Sequence, residues 1–210
     1  MKPEIGVIDY GRGNLRSVAK ALEAVGARVR VSSSPRSLEV CSGLILPGVG
    51  AFGDAMAALK KQGFISYLKR AASQGRLLLG VCLGLQLFCE SSSEFGRHAG
   101  LGLFRGQVRR FKPGLKVPHM GWNQVRSQGA CPLFAGIAQD SEFYFVHSYR
   151  ARTPKRSLAA GLTRYGKDSF DSALWDGNIY ATQFHPEKSQ AAGLKLYANY
   201  WKLVQAASKS

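Results

Sequence analysis

The first ninety residues repeat one pattern: a short apolar run, a turn that often carries glycine, then a stretch with helical spacing. "EIGVID" (4–9), "GLILPGVG" (43–50) and "RLLLGV" (76–81) are almost continuously apolar, and "ARVRV" (27–31) alternates. Between them Leu15, Val18, Leu22 and Val25 share one helical face, and residues 54–72 read as a second helix. A strand that is apolar on both faces must be covered on both, and strands separated by helices run parallel. The pattern predicts an α/β fold with a largely parallel central sheet between helical layers.

After about residue 100 the pattern changes. "GLGLFRGQVRRF", "GWNQVR", "EFYFVHSYR", "SLAAGLTRY" and "SALWDGNIYATQFH" are short and strand-like, the last turning at Asp176-Gly177-Asn178, which predicts antiparallel pairs. Residues 189–207 return to helix with Leu194, Tyr197 and Trp201 on one face. No linker, repeat or low-complexity tract interrupts residues 1–210, so a single domain is expected. The apolar runs are too short to span a bilayer, and "MKPEIGVIDY" has none of the regions of a signal peptide, which points to a cytoplasmic chain without membrane contact. The cysteines at 41, 82, 89 and 131 lack CxxC spacing, so reduced thiols and no metal are expected.

One thiol is set apart by its neighbours. In "LLLGVCLGLQLF" (77–88) an apolar strand runs through Gly80 to Cys82, then Gly84 and helix formers follow. Alone, Cys82 reads equally well as a small buried hydrophobe. Flanking glycines favour the other reading, a nucleophile on a sharp strand-to-helix turn where side chains on its neighbours would collide with backbone. The amides of the helix N-terminus would lie beneath the sulfur and favour negative charge on it.

Such a nucleophile needs a base. His98, in "EFGRHAG", reads as an exposed loop residue. His185 ends the strand-like "IYATQF" and is followed by Pro186 and Glu187. Proline biases the preceding residue toward extended geometry, in which residues two apart face the same way, so Glu187 can orient the His185 ring. A thiol, an imidazole and an orienting carboxylate make an acyl-transfer site, which also requires donors for a developing oxyanion. The loop "PGVG" (47–50) can supply them, although alone it reads equally as an ordinary turn.

"GVCLGLQLF" resembles the nucleophile elbow of class I (triad) glutamine amidotransferases, "FHPEKS" their His-x-Glu segment and "LPGVGAFGDAM" their oxyanion loop. "DYGRGNL", "VPHMGWN" and "YFVHSY" narrow the resemblance to the branch serving imidazole glycerol phosphate synthases as glutaminase subunits. It runs from Ile5 to about Trp201, with Val81 and Leu85 as conservative departures. It implies a flavodoxin-like three-layer fold with an antiparallel C-terminal addition, a Cys82-His185-Glu187 triad, and oxyanion donors near Val49, Gly50 and Leu83. It further implies a glutamine pocket formed by Gly48, Gln86, His147, Ser148 and Tyr149, and no cofactor. Ammonia would pass to a (β/α)8 cyclase subunit in a heterodimer, across an interface including Asn14, His119, Met120, Trp122 and Asn123. Read without the resemblance, Gln86 could simply solvate its helix, Tyr149 pack a strand and Trp122 lie buried.

A formal charge of +16 is the remaining feature. The cations are spread along the chain without an aromatic-rich nucleic-acid motif, so they read as serving solubility, an acidic partner or a phosphorylated substrate rather than nucleic acid. Two rival readings remain: a paralogous glutaminase feeding an amidotransferase of surface-polysaccharide synthesis, and a basic binding module without catalysis.

Overall fold

The computed structural model describes residues 2–208. In chain order the first half contains β1 (Ile5–Ile8), α1 (Leu15–Ala24), β2 (Val29–Ser32), β3 (Gly43–Gly48), α2 (Phe52–Lys61), α3 (Phe64–Ser73), β4 (Leu77–Cys82) and α4 (Leu83–Phe88). Then follow β5 (Cys89–Ser92), β6 (His98–Ala99), β7 (Phe104–Arg110), β8 (His119–Ser127), β9 (Ser141–His147) and β10 (Tyr149–Arg152). The chain continues through β11 (Ala159–Tyr165), β12 (Asp168–Asp176), β13 (Ile179–Thr182) and α5 (Gln190–Ala207).

Nine strands form one sheet in the order β2-β1-β3-β4-β13-β12-β11-β8-β9. The first five run parallel and the remainder antiparallel. Alternation along the parallel strands supplies both faces. Ile45, Leu77, Leu79 and Val81 pack toward α1 and α5 with Val18, Leu22, Tyr197 and Tyr200. Leu44, Leu46 and Leu78 pack toward α2, α3 and α4 with Phe52, Leu59, Leu68 and Phe88. A second sheet, β10-β7-β5-β6, lies on the latter side and adds Phe104 and Val108 to that core.

Several expectations are corrected. The helix anticipated over 54–72 is two helices, because Gly63 adopts a left-handed conformation (φ 74°) that ends α2 and re-aims the chain. Phe64, Tyr67, Leu68 and Ala71 of α3 thereby join the same core as α2. "EFYFVHSYR" is two strands divided at Ser148, β9 pairing with β8 in the large sheet and β10 with β7 in the small one. On α5, Leu194 faces outward, and the buried face is Leu196, Tyr197, Tyr200, Trp201 and Val204. His98 is half-buried on β6, its ring 6.5 Å from that of Phe52.

Candidate active site

The junction of β4 and α4 is as sharp as its glycines suggest. Cys82 has φ 55° and ψ −107°, a conformation that costs a non-glycine residue about 1–3 kcal/mol and persists only when its surroundings impose it. A Cβ on Gly84 would lie 1.9 Å from the Leu46 carbonyl oxygen, and one on Gly80 2.7 Å from the Gly84 backbone. Neither position has room for a side chain.

Topology brings the imidazole to this turn. β13 lies beside β4 in parallel, with Thr182 opposite Val81, so the chain leaving β13 emerges at the sheet edge that carries Cys82. The His185 N–H then donates to the Tyr144 carbonyl (2.9 Å), while Ser189 Oγ donates to the His185 carbonyl (2.6 Å) and accepts from the Tyr144 N–H (3.0 Å). These bonds fix His185 against β9.

Glu187 Oε1 lies 2.8 Å from His185 Nδ1, and both side chains are buried. Because the carboxylate accepts, Nδ1 carries a proton and Nε2 is the nitrogen left for chemistry. Nε2 is buried without a hydrogen-bond partner. Burial alone lowers the affinity of His185 for a proton, but the Cys82 sulfur and the Glu187 carboxylate together outweigh it and push the value up to about 10. The sulfur has two further polar neighbours, the Val146 carbonyl at 4.0 Å and Gln183 Nε2 at 3.8 Å.

A cavity of about 350 Å³ opens over the sulfur, lined by Val49, Gly50, Cys82, Leu83, Gln86, Glu94, Pro118, Val146, His147, Ser148, Tyr149 and His185. Cys82, His185 and the loop after β3 therefore share one chamber. With that geometry in view, a family model described as glutamine amidotransferase class-I matches residues 6–201. The chain belongs to the class-I glutamine amidotransferases.

Two similar proteins bear the name imidazole glycerol phosphate synthase subunit HisH. That of Desulfitobacterium hafniense (strain DSM 10664 / DCB-2) is 49% identical over 200 residues, covering 95% of this chain and 94% of its own. That of Moorella thermoacetica (strain ATCC 39073 / JCM 9320) is 47% identical over 210 residues, covering 100% and 99%. Among solved structures, PurLQS from Thermotoga maritima superposes with a TM-score of 0.76 at 20% identity, covering 97% of this chain and 99% of that one, a likeness of fold.

Within this amidotransferase the sequence-selected residues are distributed as follows. Val49, Gly50, Leu83, Gln86, His147, Ser148 and Tyr149 line the chamber with Cys82 and His185. Gly48 lies beside Cys82 in the β3–β4 register, outside the chamber wall, where a Cβ would meet the Tyr10 hydroxyl at 2.4 Å. Gln86 spends its amide nitrogen on the Tyr149 carbonyl (2.9 Å) and Gln183 Oε1 (3.0 Å), so toward the cavity it offers only its oxygen.

The segment 119–123 divides between two faces because β8 alternates. Met120 and Trp122 are exposed, at 62% and 44%. His119 is buried, stacked between Phe145 and Tyr165 and bonded to His147, which corrects its expected place on a partner surface. Asn123 is half-buried with its Nδ2 3.1 Å from His119 Nε2, and Asn14 is half-buried ahead of α1.

Sequence reasoning missed Glu94, Pro118 and Val146 on the cavity wall, and Gln183 at the sulfur. Glu94 is a helix cap supplied from a distant loop, accepting from the Phe52 N–H at the start of α2 (2.6 Å). Nothing in its local sequence signals that role.

All four cysteines are buried free thiols. Among the described residues no helix is long and apolar enough to cross a membrane.

Proposed function

We propose that this chain is the glutaminase subunit of an imidazole glycerol phosphate synthase, a single cytoplasmic domain that hydrolyses L-glutamine and delivers ammonia to a cyclase partner. The Cys82 thiol passes its proton to His185 Nε2 as its sulfur attacks the side-chain amide carbon of glutamine, and the carbonyl electrons move onto oxygen, where amides of the loop at Val49 and Gly50 and of Leu83 receive them. Collapse of that intermediate breaks the C–N bond as the His185 Nε2 proton passes to the departing nitrogen, giving ammonia and a γ-glutamyl thioester. His185 then takes a proton from water, the hydroxide adds to the thioester, and collapse expels glutamate and restores the sulfur. Glu187 stabilises the imidazolium at each turn.

The observation carrying this reading is the pairing of a strained Cys82 with a His185 whose Nδ1 is held by Glu187 and whose Nε2 is uncommitted. Extensive identity to two HisH subunits selects the histidine branch over the polysaccharide rival. Met120 and Trp122, exposed on β8, are the surface we assign to a (β/α)8 cyclase, because large exposed aromatic and thioether side chains suit a partner contact.

Glutamate release by the wild-type chain and Cys82→Ala, each with and without a histidine-pathway cyclase and its nucleotide, tests the proposal. The expected result is slow hydrolysis by the isolated wild type, strong acceleration in the complex with formation of imidazole glycerol phosphate, and none from the variant. Unaccelerated turnover in the complex would defeat the coupling.

A further inference from the structure

We propose that Gln183 is a further catalytic residue, donating its side-chain amide N–H to the Cys82 sulfur whenever that sulfur carries negative charge. The inference rests on the glutaminase reading and adds to it a group outside the triad and the oxyanion loop. Gln183 is fully buried, immediately after β13, with Nε2 3.8 Å from Sγ.

A buried amide could present either end to the sulfur, with opposite consequences. Nitrogen brings a donor that steadies an anion, whereas oxygen brings a dipole that repels it. The surrounding bonds decide the orientation without reference to the sulfur. The Tyr149 carbonyl can only accept, so the Gln86 atom 2.9 Å from it is the amide nitrogen. That nitrogen also lies 3.0 Å from the Gln183 side chain, which must meet it with oxygen. The Gln183 nitrogen is left beside Sγ.

The Tyr149 carbonyl is itself held by a second chain. His147 Nδ1 donates to it (2.8 Å), so His147 Nε2 accepts from His119 Nδ1 (3.0 Å), and His119 Nε2 accepts from Asn123 Nδ2 (3.1 Å). The far end is anchored independently, since Asn123 Oδ1 accepts from the Gln124 N–H (2.8 Å) and Nδ2 also donates to the Arg164 carbonyl (3.0 Å). Read from either end the two histidines are neutral with the same tautomers, and their burial among Phe111, Phe145, Tyr165 and Phe170 holds them so. His147, His119, Asn123 and Gln86 are thus positioning residues for one N–H.

The donor has its largest effect when electrons return to sulfur. In hydrolysis of the thioester, water has added to the acyl carbon and given its proton to His185, the C–S bond breaks, and its electron pair leaves on Sγ. The Gln183 N–H meets that charge without rearrangement.

The test uses the full chain with its cyclase partner for turnover, and iodoacetamide as a probe of the sulfur, followed by mass spectrometry of the Cys82 peptide. Gln183→Met keeps length and removes the donor. Alkylation at pH 7 and kcat are each expected to fall about tenfold, with little change in KM, as for loss of one hydrogen bond to a charged atom. Gln183→Glu, which places a carboxylate there, is expected to lose more in both. If the Met variant does not fold, the Glu variant decides. A folded variant alkylated and turning over at the wild-type rate would overturn the assignment. Absence of hydrolysis by the wild type would instead defeat the glutaminase reading, and the alkylation rates would still judge Gln183.

Discussion

Glu187 acts on His185 in two ways: it fixes the proton on Nδ1 at 2.8 Å and favours the charged ring. Glu187→Gln keeps the shape and loses the charge, and an amide can turn either end toward Nδ1. Glutaminase kcat/KM is expected to fall by roughly 10²–10⁴-fold with only a small change in Tm, checked by steady-state assay alongside calorimetry. An unchanged rate would remove Glu187 from the mechanism. This pair was legible in the sequence because its partners are two residues apart, although the contact is made by a short 3-10 turn over Pro186–Lys188 that follows an extended His185, and not by the continuous extended backbone expected. Gln183 and Glu94 were not legible, since the role of each depends on which distant strand or helix lies beside it.

The β4–α4 turn was the most legible element, because both reasons for its glycines are steric. Gly84→Ala would place a methyl against the Leu46 carbonyl and is expected to cost about 1–3 kcal/mol, the range for overpacking a close-packed site. That lowers Tm by several degrees in a thermal melt, since about 1 kcal/mol shifts a chain of this size by about 2–4 °C. The variant is also expected to lose glutaminase activity out of proportion to its stability, because Cys82 hangs on the same turn. Wild-type stability and rate would show that the turn has slack. Elements whose breaks lie in irregular backbone were less legible: the left-handed Gly63 splitting α2 from α3, and Ser148, where one apolar-alternating run changes sheets. Alternation on β8 was present in the letters, yet reading "PHMGWN" as one surface motif obscured that His119 is buried.

Across the whole molecule the buried histidines set opposing pH dependences. Burial lowers His119 to about 4 and His147 to about 3 from an ordinary 6.5. Below 6.5 the unfolded chain takes up protons that the fold refuses, so stability declines as pH falls toward those values and levels off beneath them. His185, pushed up to about 10, does the reverse: its contribution is complete below 6.5 and gone once pH has risen through about 10. Thermal melts against pH are expected to peak near neutrality and fall on both sides, and a flat profile between pH 4 and 6.5 would contradict the neutral histidine pair. At this scale the parallel half of the sheet was legible from continuous apolar strands, but the pairing of β13 with β4 was not. That non-local pairing assembles the site, and it makes the chemistry directly testable. Acid-quenching the complex during glutamine turnover and mapping the protein by mass spectrometry is expected to find one γ-glutamyl group, on the peptide carrying Cys82, and none in Cys82→Ala. A γ-glutamyl group on another residue, or glutamate formation by Cys82→Ala, would contradict the account.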